Sequence, residues 1–175
     1  MSTRQLVIVL CLYLAILIAI AYFTRAKLPR VIGALAGGAT VGFVGLGMIA
    51  FGNALKLWSA PISWTTPFLV LIYLSFAISC APFYLITWRL ARRFGWRGIT
   101  TCIGIAAIIG PPRDYFVASI YPEWITFSPG VEPLLVVAIF YSGVVALGHG
   151  IMRLMAGPAD IDQLARVRQV DVAKA

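Results

Sequence analysis

Arg113 and Asp114 are the residues of this chain whose types and position suggest chemistry most directly. They follow two prolines in the stretch "IIGPPRDYFVASIYPEW", immediately after an apolar run. If the chain breaks there inside a membrane, the guanidinium and the free N–H groups of a new helix start would attract an anion, and the carboxylate would neutralise it or accept a proton. In the alternative, which we favour from the sequence, the residues after the prolines lie along the membrane surface. Adjacent opposite charges then lower each other's free-energy cost at the membrane, and no function is needed to explain them.

Glu123 and Trp124 extend this candidate binding site. They lie in a proline-bounded loop from 122 to 129, which would cap the bundle or act as a lid or docking surface. Two carboxylates can divide acid and base roles, but the spacing does not place Glu123 opposite Asp114. We therefore expect outer-face binding by Arg113, Asp114, Glu123 and Trp124, and we assign no catalytic residue.

His149 is the only histidine and stands between two glycines near the end of the last apolar segment. An imidazole near a membrane boundary can carry a proton or bind a ligand. A neutral imidazole bonded to a backbone carbonyl is the interpretation we favour. The three cysteines lie in apolar segments without a CxxC spacing, so no metal site and no cofactor is predicted.

The composition predicts the class of fold that holds these residues in place. The chain has 175 residues, of which 61% are hydrophobic and only 11% are charged. Soluble domains are about a quarter charged, and the apolar residues here come in blocks long enough to cross a bilayer as helices. We therefore predict an all-α, polytopic membrane bundle. Nucleic-acid binding is excluded as a role, because no basic stretch carries interleaved aromatic residues.

Five apolar segments predict about five transmembrane helices in one bundle covering residues 1–157. The predicted spans are about 5–23, 31–55, 67–88, 98–121 and 131–155. The fourth is expected to be broken at Gly110–Pro112, because prolines interrupt the helical hydrogen bonds there. Residues 158–175 are expected to form a cytoplasmic amphipathic tail.

The basic residues predict the orientation of the bundle. An alternating assignment of the loops puts eleven Lys and Arg residues on one side and three on the other. Excess positive charge marks the cytoplasmic side, so the N-terminus is expected outside and the C-terminus inside. The preference for Arg over Lys is typical of a GC-rich bacterial genome, which indicates the inner membrane.

The second span carries glycines in two overlapping GxxxG pairs. One pair is Gly33 and Gly37, and the other is Gly38 and Gly42. Small residues let helix backbones approach closely in lipid. Two registers on one helix predict contacts on two faces, either inside the bundle, which we favour, or with another membrane protein or a second copy of the chain.

The sequence carries no enzymatic signature and resembles no family known to us. The leading hypothesis is a binding or accessory subunit, or an assembly factor, of a membrane system. A second hypothesis is a small carrier or membrane-embedded enzyme for a lipid-like or anionic molecule, using Arg113, Asp114 and Glu123. A third is an oligomeric channel built through the glycines of the second span.

Overall fold

A computed structural model describes residues 2–63 and 65–157. Five helices and two short strands make up this part of the chain; they are α1 Thr3–Phe23, α2 Leu28–Ala54, β1 Trp58–Ser59, α3 Thr66–Phe94, α4 Trp96–Ile120, β2 Thr126–Phe127 and α5 Glu132–Ala156. The predicted all-α membrane bundle is confirmed. The predicted tail of residues 158–175 lies outside the described residues.

Four of the five helices, α1, α2, α3 and α5, are long and apolar enough to cross a membrane. The fourth helix, α4, has the same 25-residue length as α5 but carries Arg97, Arg113 and Asp114. It packs against α3 and α5 within the bundle. The chain is therefore a multi-pass membrane protein whose most polar helix is held by two apolar ones.

Helix α2 lies between α3 and α5 because its glycines admit the backbones of both. A Cβ on Gly33 or Gly37 would meet the carbonyl oxygens of Met152 or Gly148 in α5. On the other face, a Cβ on Gly38 would overlap the Ala77 carbonyl of α3, and one on Gly42 would press on a tyrosine ring of α3. The two glycine registers thus contact two different helices of the same chain.

Helices α3 and α4 are joined by a single residue, Gly95. Its backbone angles are φ 60° and ψ −141°, which side chains disfavour. The turn lets Gly98 lie against the backbone of Leu90, which precedes it by eight residues and belongs to α3. Helix α3 continues through Arg92 and Arg93 and ends at Phe94. The sequence had predicted a loop after residue 88.

Helix α4 runs without interruption from Trp96 to Ile120, and this corrects the predicted break at Gly110–Pro112. The two prolines remove the N–H groups that would bond Ala107 and Ile108, at a cost of about 3 kcal/mol or more for each in a helix interior. Contacts with α5 offset this cost. The Tyr141 ring lies directly against Gly110, where no side chain could fit, and Pro111 is fully buried.

The two strands form an antiparallel ribbon over one end of the bundle, with Trp58 opposite Phe127 and Ser59 opposite Thr126. Asn53 ties the end of α2 to it, because its side-chain amide donates to the Ala60 carbonyl at 3.1 Å and its oxygen accepts from the Ala60 N–H at 2.9 Å. We call this end of the bundle the ribbon end, and the opposite end, which carries Arg25, Arg89, Arg92 and Arg93, the basic end.

Candidate functional site

Arg113, Asp114 and Tyr141 form a closed hydrogen-bonded cluster between α4 and α5. Arg113 donates to Asp114 Oδ1 from Nε at 3.1 Å and from Nη2 at 2.7 Å. Nη2 also donates to the Tyr141 hydroxyl oxygen. That hydroxyl lies 3.0 Å from Asp114 Oδ1 and 2.9 Å from Oδ2, so it donates to the carboxylate. Each member therefore fixes the position of the other two.

The cluster lies well inside the helices. Arg113 is seven residues before the end of α4, about 10 Å along the axis, and Tyr141 is nine residues after the start of α5, about 14 Å. A 25-residue helix is about 37 Å long and exceeds a hydrocarbon layer of about 30 Å by only a few ångströms at each end. Arg113 and Tyr141 therefore lie within the lengths of their helices and not at the helix ends.

The Arg113 guanidinium is held on one edge and open on the other. Its side chain is 55% exposed, whereas that of Asp114 is 26% exposed. Within the described residues Nη1 makes no hydrogen bond, so two N–H donors remain for another group. Neighbouring residues on the same side of α4, such as Ile109 and Phe116, are exposed apolar side chains. The open edge of a positioned cation thus borders the lipid-facing surface.

Two further polar groups lie within electrostatic range of Arg113. They are the Tyr13 hydroxyl of α1 and the Cys80 thiol of α3. Cys80 is a free thiol and half-buried.

Glu123 and Trp124 lie outside this cluster. They follow the end of α4, in the connection that leads to β2. Trp124 stacks on Tyr121 with ring centroids 4.6 Å apart, and its backbone N–H donates to the Tyr121 carbonyl. The loop is therefore an ordered part of the ribbon end, and the structure does not bring Glu123 to Asp114.

The ribbon is linked to the cluster through Tyr115, the residue after Asp114. Its ring stacks on Phe127 of β2 at 4.2 Å between centroids and 9° between planes. A polar cavity of about 390 Å³ opens beside the ribbon; its lining residues are Asn53, Lys56, Trp58, Ser59, Ala60, Thr126, Phe127 and Ser128. The ribbon end thus combines an ordered cap with a water-accessible recess.

His149 lies in the second half of α5, seven residues before its end, and is only 5% exposed. Its Nδ1 has no hydrogen-bond partner among the described residues. It is distant in sequence and in the bundle from the Arg113 cluster, because Tyr141 precedes it by more than two helical turns. Across residues 2–63 and 65–157, no three His, Cys, Asp or Glu side chains come together to hold a metal ion.

Tyr141 is the member of the cluster that was not predicted from the sequence. It lies in the middle of an apolar span, in "AIFYSG", 27 residues from Asp114. A buried tyrosine hydroxyl needs a hydrogen-bond partner, and this requirement was the only available signal. Which charged residue supplies that partner could not be predicted from the sequence.

Comparison of the chain with protein-family models, with curated proteins and with solved structures found no match. Function has to be argued from the chemistry of the Arg113 cluster and its surroundings.

Proposed function

We propose that this multi-pass membrane protein binds the anionic group of a lipid-like molecule at the cluster of Arg113, Asp114 and Tyr141. The observation that carries the proposal is the half-exposed guanidinium, which two partners orient inside an apolar bundle. A charged group at this depth is costly and usually has a partner or a function. An arginine that only links two helices does not need exposed N–H donors, whereas an arginine that binds an anion does.

The remaining donors of Arg113 suit the proposed ligand. A guanidinium presents its N–H groups in a planar fork that matches carboxylate and phosphate oxygens. Asp114 balances the charge while the site is empty, and the exposed apolar residues of α4 would contact a hydrocarbon chain. The site therefore favours a molecule with an anionic head and an apolar body.

We further propose that the protein resides in a bacterial inner membrane, with its ribbon end outside and its basic end in the cytoplasm. The supporting observation is the charge bias, because eleven of the fourteen basic residues fall on the side assigned to the cytoplasm. The ligand would then enter from the outer leaflet.

A role as an accessory subunit or assembly factor stays a prediction, and the binding experiment separates it from the proposal. An oligomeric channel built through the α2 glycines is disfavoured. Gly33, Gly37, Gly38 and Gly42 are all buried against helices of the same chain.

The proposal is tested with two amphiphiles of equal chain length, hexadecyl phosphate and hexadecylphosphocholine. The full chain in mild detergent is titrated with each, and thermal unfolding is measured, since a ligand that binds the folded state raises its melting temperature. Hexadecyl phosphate should stabilise the wild type more than the zwitterionic compound. Arg113→Gln should remove the difference.

The decisive variant is Asp114→Asn, which removes the competing carboxylate and keeps the side-chain shape. It should bind hexadecyl phosphate several-fold more tightly, because Arg113 then lacks its internal counter-charge. Equal responses of wild type, Arg113→Gln and Asp114→Asn to the phosphate would contradict the proposal and leave the cluster as a structural link between α4 and α5.

A further inference from the structure

At the basic end, two arginines lie on one indole ring. The Arg30 guanidinium carbon is 3.9 Å from the centroid of the Trp88 ring, and that of Arg92 is 5.5 Å from it. Arg30 is the third residue of α2, and Arg92 is the third from the end of α3. The indole thus holds two positive charges from two helices in fixed positions.

A third arginine completes this group. Arg89 donates from Nη1 to the Thr24 carbonyl at 3.2 Å and so binds the end of α1 to α3. The three arginines and Trp88 line a narrow cleft of about 10 Å³, together with Thr24, Ala26 and Leu85. A volume of this size admits about one water-sized atom, such as a single oxygen of a larger group that stays outside.

The Trp88 ring carries a buried hydrogen-bond donor. Trp88 is only 6% exposed, and its Nε1–H makes no hydrogen bond within the described part of the chain. A buried N–H without an acceptor is destabilising, so an acceptor oxygen in the cleft would remove that cost. This observation is independent of the positive charge.

The location identifies the kind of acceptor. Helices as long as α2 and α3 extend beyond a hydrocarbon layer of about 30 Å, so in a membrane-spanning arrangement Arg30 and Arg92 at their ends would lie among the lipid headgroups. Eight of the described basic residues lie at this end: Arg25, Lys27, Arg30, Arg89, Arg92, Arg93, Arg97 and Arg153. Such surroundings repel the ammonium group of a zwitterionic lipid and attract an anionic one.

We propose that the cleft lined by Arg30, Trp88, Arg89 and Arg92 binds the phosphate of an anionic phospholipid. One phosphate oxygen enters the cleft and accepts the Trp88 N–H, while the guanidiniums contact the other oxygens. This site is separate from the Arg113 cluster, since it lies at the opposite end of the bundle.

The test measures lipid retention by native mass spectrometry of the full chain. Phosphatidylglycerol and phosphatidylcholine with the same acyl chains are added to the detergent-solubilised protein, and the bound fraction of each is compared. The wild type should retain phosphatidylglycerol preferentially. Removing two charge-assisted contacts with Arg30→Gln and Arg92→Gln together should weaken its retention by about tenfold or more.

A matched control removes the same charge from the same end. Arg93→Gln with Arg97→Gln changes two arginines that do not line the cleft, one of which lies over the Phe94 ring. This control should retain phosphatidylglycerol within about twofold of the wild type, which is the scale of screened surface charge effects. An equal loss in both double variants would overturn the proposal in favour of bulk charge.

Trp88→Phe keeps a ring beneath the two guanidiniums and removes only the N–H donor. It should weaken phosphatidylglycerol retention several-fold, and unchanged retention would contradict the proposed hydrogen bond. Soluble glycerol phosphate that competes as well as the whole lipid would show that the source is not a membrane lipid. Every variant in this test keeps Arg113, so failure here and failure of the proposed function at the Arg113 cluster are distinguishable.

Discussion

At the residue scale, the central feature is a cation whose position is fixed by its own partners. Arg113 and Asp114 were identifiable from the sequence because charges are rare in so apolar a chain. Their third partner, Tyr141, was not identifiable, because its role depends on the contact between α4 and α5. A hydroxyl in an apolar span shows that a partner exists but does not name it. Glu123 was grouped with the pair from its sequence proximity alone, and the end of α4 separates them.

Tyr141→Phe removes one hydroxyl and leaves the ring against Gly110. We expect a loss of about 1.5–3 kcal/mol of unfolding free energy, the usual value for hydrogen bonds to charged groups. We also expect weaker binding of hexadecyl phosphate, since Arg113 loses a positioning contact. Thermal unfolding and titration of the detergent-solubilised variant measure both effects.

The control is Tyr22→Phe, at a tyrosine that is 78% exposed on α1. This variant should change neither the free energy of unfolding nor the binding of hexadecyl phosphate. Equal stability and equal binding in Tyr141→Phe and the wild type would show that the hydroxyl does not hold the cluster together.

At the element scale, the apolar segments indicated where the helices lie, and glycine spacing indicated that α2 meets other helices on two faces. Only the structure shows which helix contacts each glycine, because the spacing of glycines along α2 carries no information about the neighbouring helix. The predicted break in α4 was wrong because local rules for proline omit the contacts that Gly110 and Arg113 make with Tyr141 of α5. The ribbon was also unpredictable, because each strand has only two residues and is formed by pairing across 67 positions or more.

Gly38→Ala tests the close approach of α2 and α3. The added methyl group would overlap the Ala77 carbonyl, so one helix backbone has to move. We expect a destabilisation of about 1–3 kcal/mol, the usual cost of overpacking. Thermal unfolding in detergent provides the measurement.

Gly47→Ala is the matched control on the same helix. No atom of the described residues lies within 4 Å of a Cβ at this position. Alanine has the higher helix propensity, so this variant should be neutral or more stable by up to about 1 kcal/mol. A Gly38→Ala variant as stable as Gly47→Ala would refute the packing described here.

At the scale of the whole molecule, the two ends of the bundle differ in charge and in construction. The ribbon end is capped by an ordered, hydrogen-bonded loop pair, and the basic end carries most of the arginines. This polarity was predictable because charge bias follows directly from composition along the chain. The two proposed ligand sites lie toward opposite ends of the bundle. Each leaflet of the membrane would then have its own site for an anionic lipid-like molecule.

The orientation is tested by thiol labelling in a variant without the native cysteines. Single cysteines are introduced as Ser59→Cys at the ribbon end and Trp96→Cys at the basic end, both at exposed positions. In intact cells, a membrane-impermeant maleimide should label position 59 and leave position 96 unlabelled. The reverse pattern would overturn the proposed orientation.

The most direct test of the central claim is the accessibility of position 114 in the same background. Asp114→Cys is treated with the impermeant maleimide and, separately, with a small permeant reagent, and both rates are compared with those at position 59. A cluster inside the bundle should react slowly with the first reagent and readily with the second. Labelling at 114 as rapid as at 59 with the impermeant reagent would place the cluster at the water surface and contradict an anion site within the membrane.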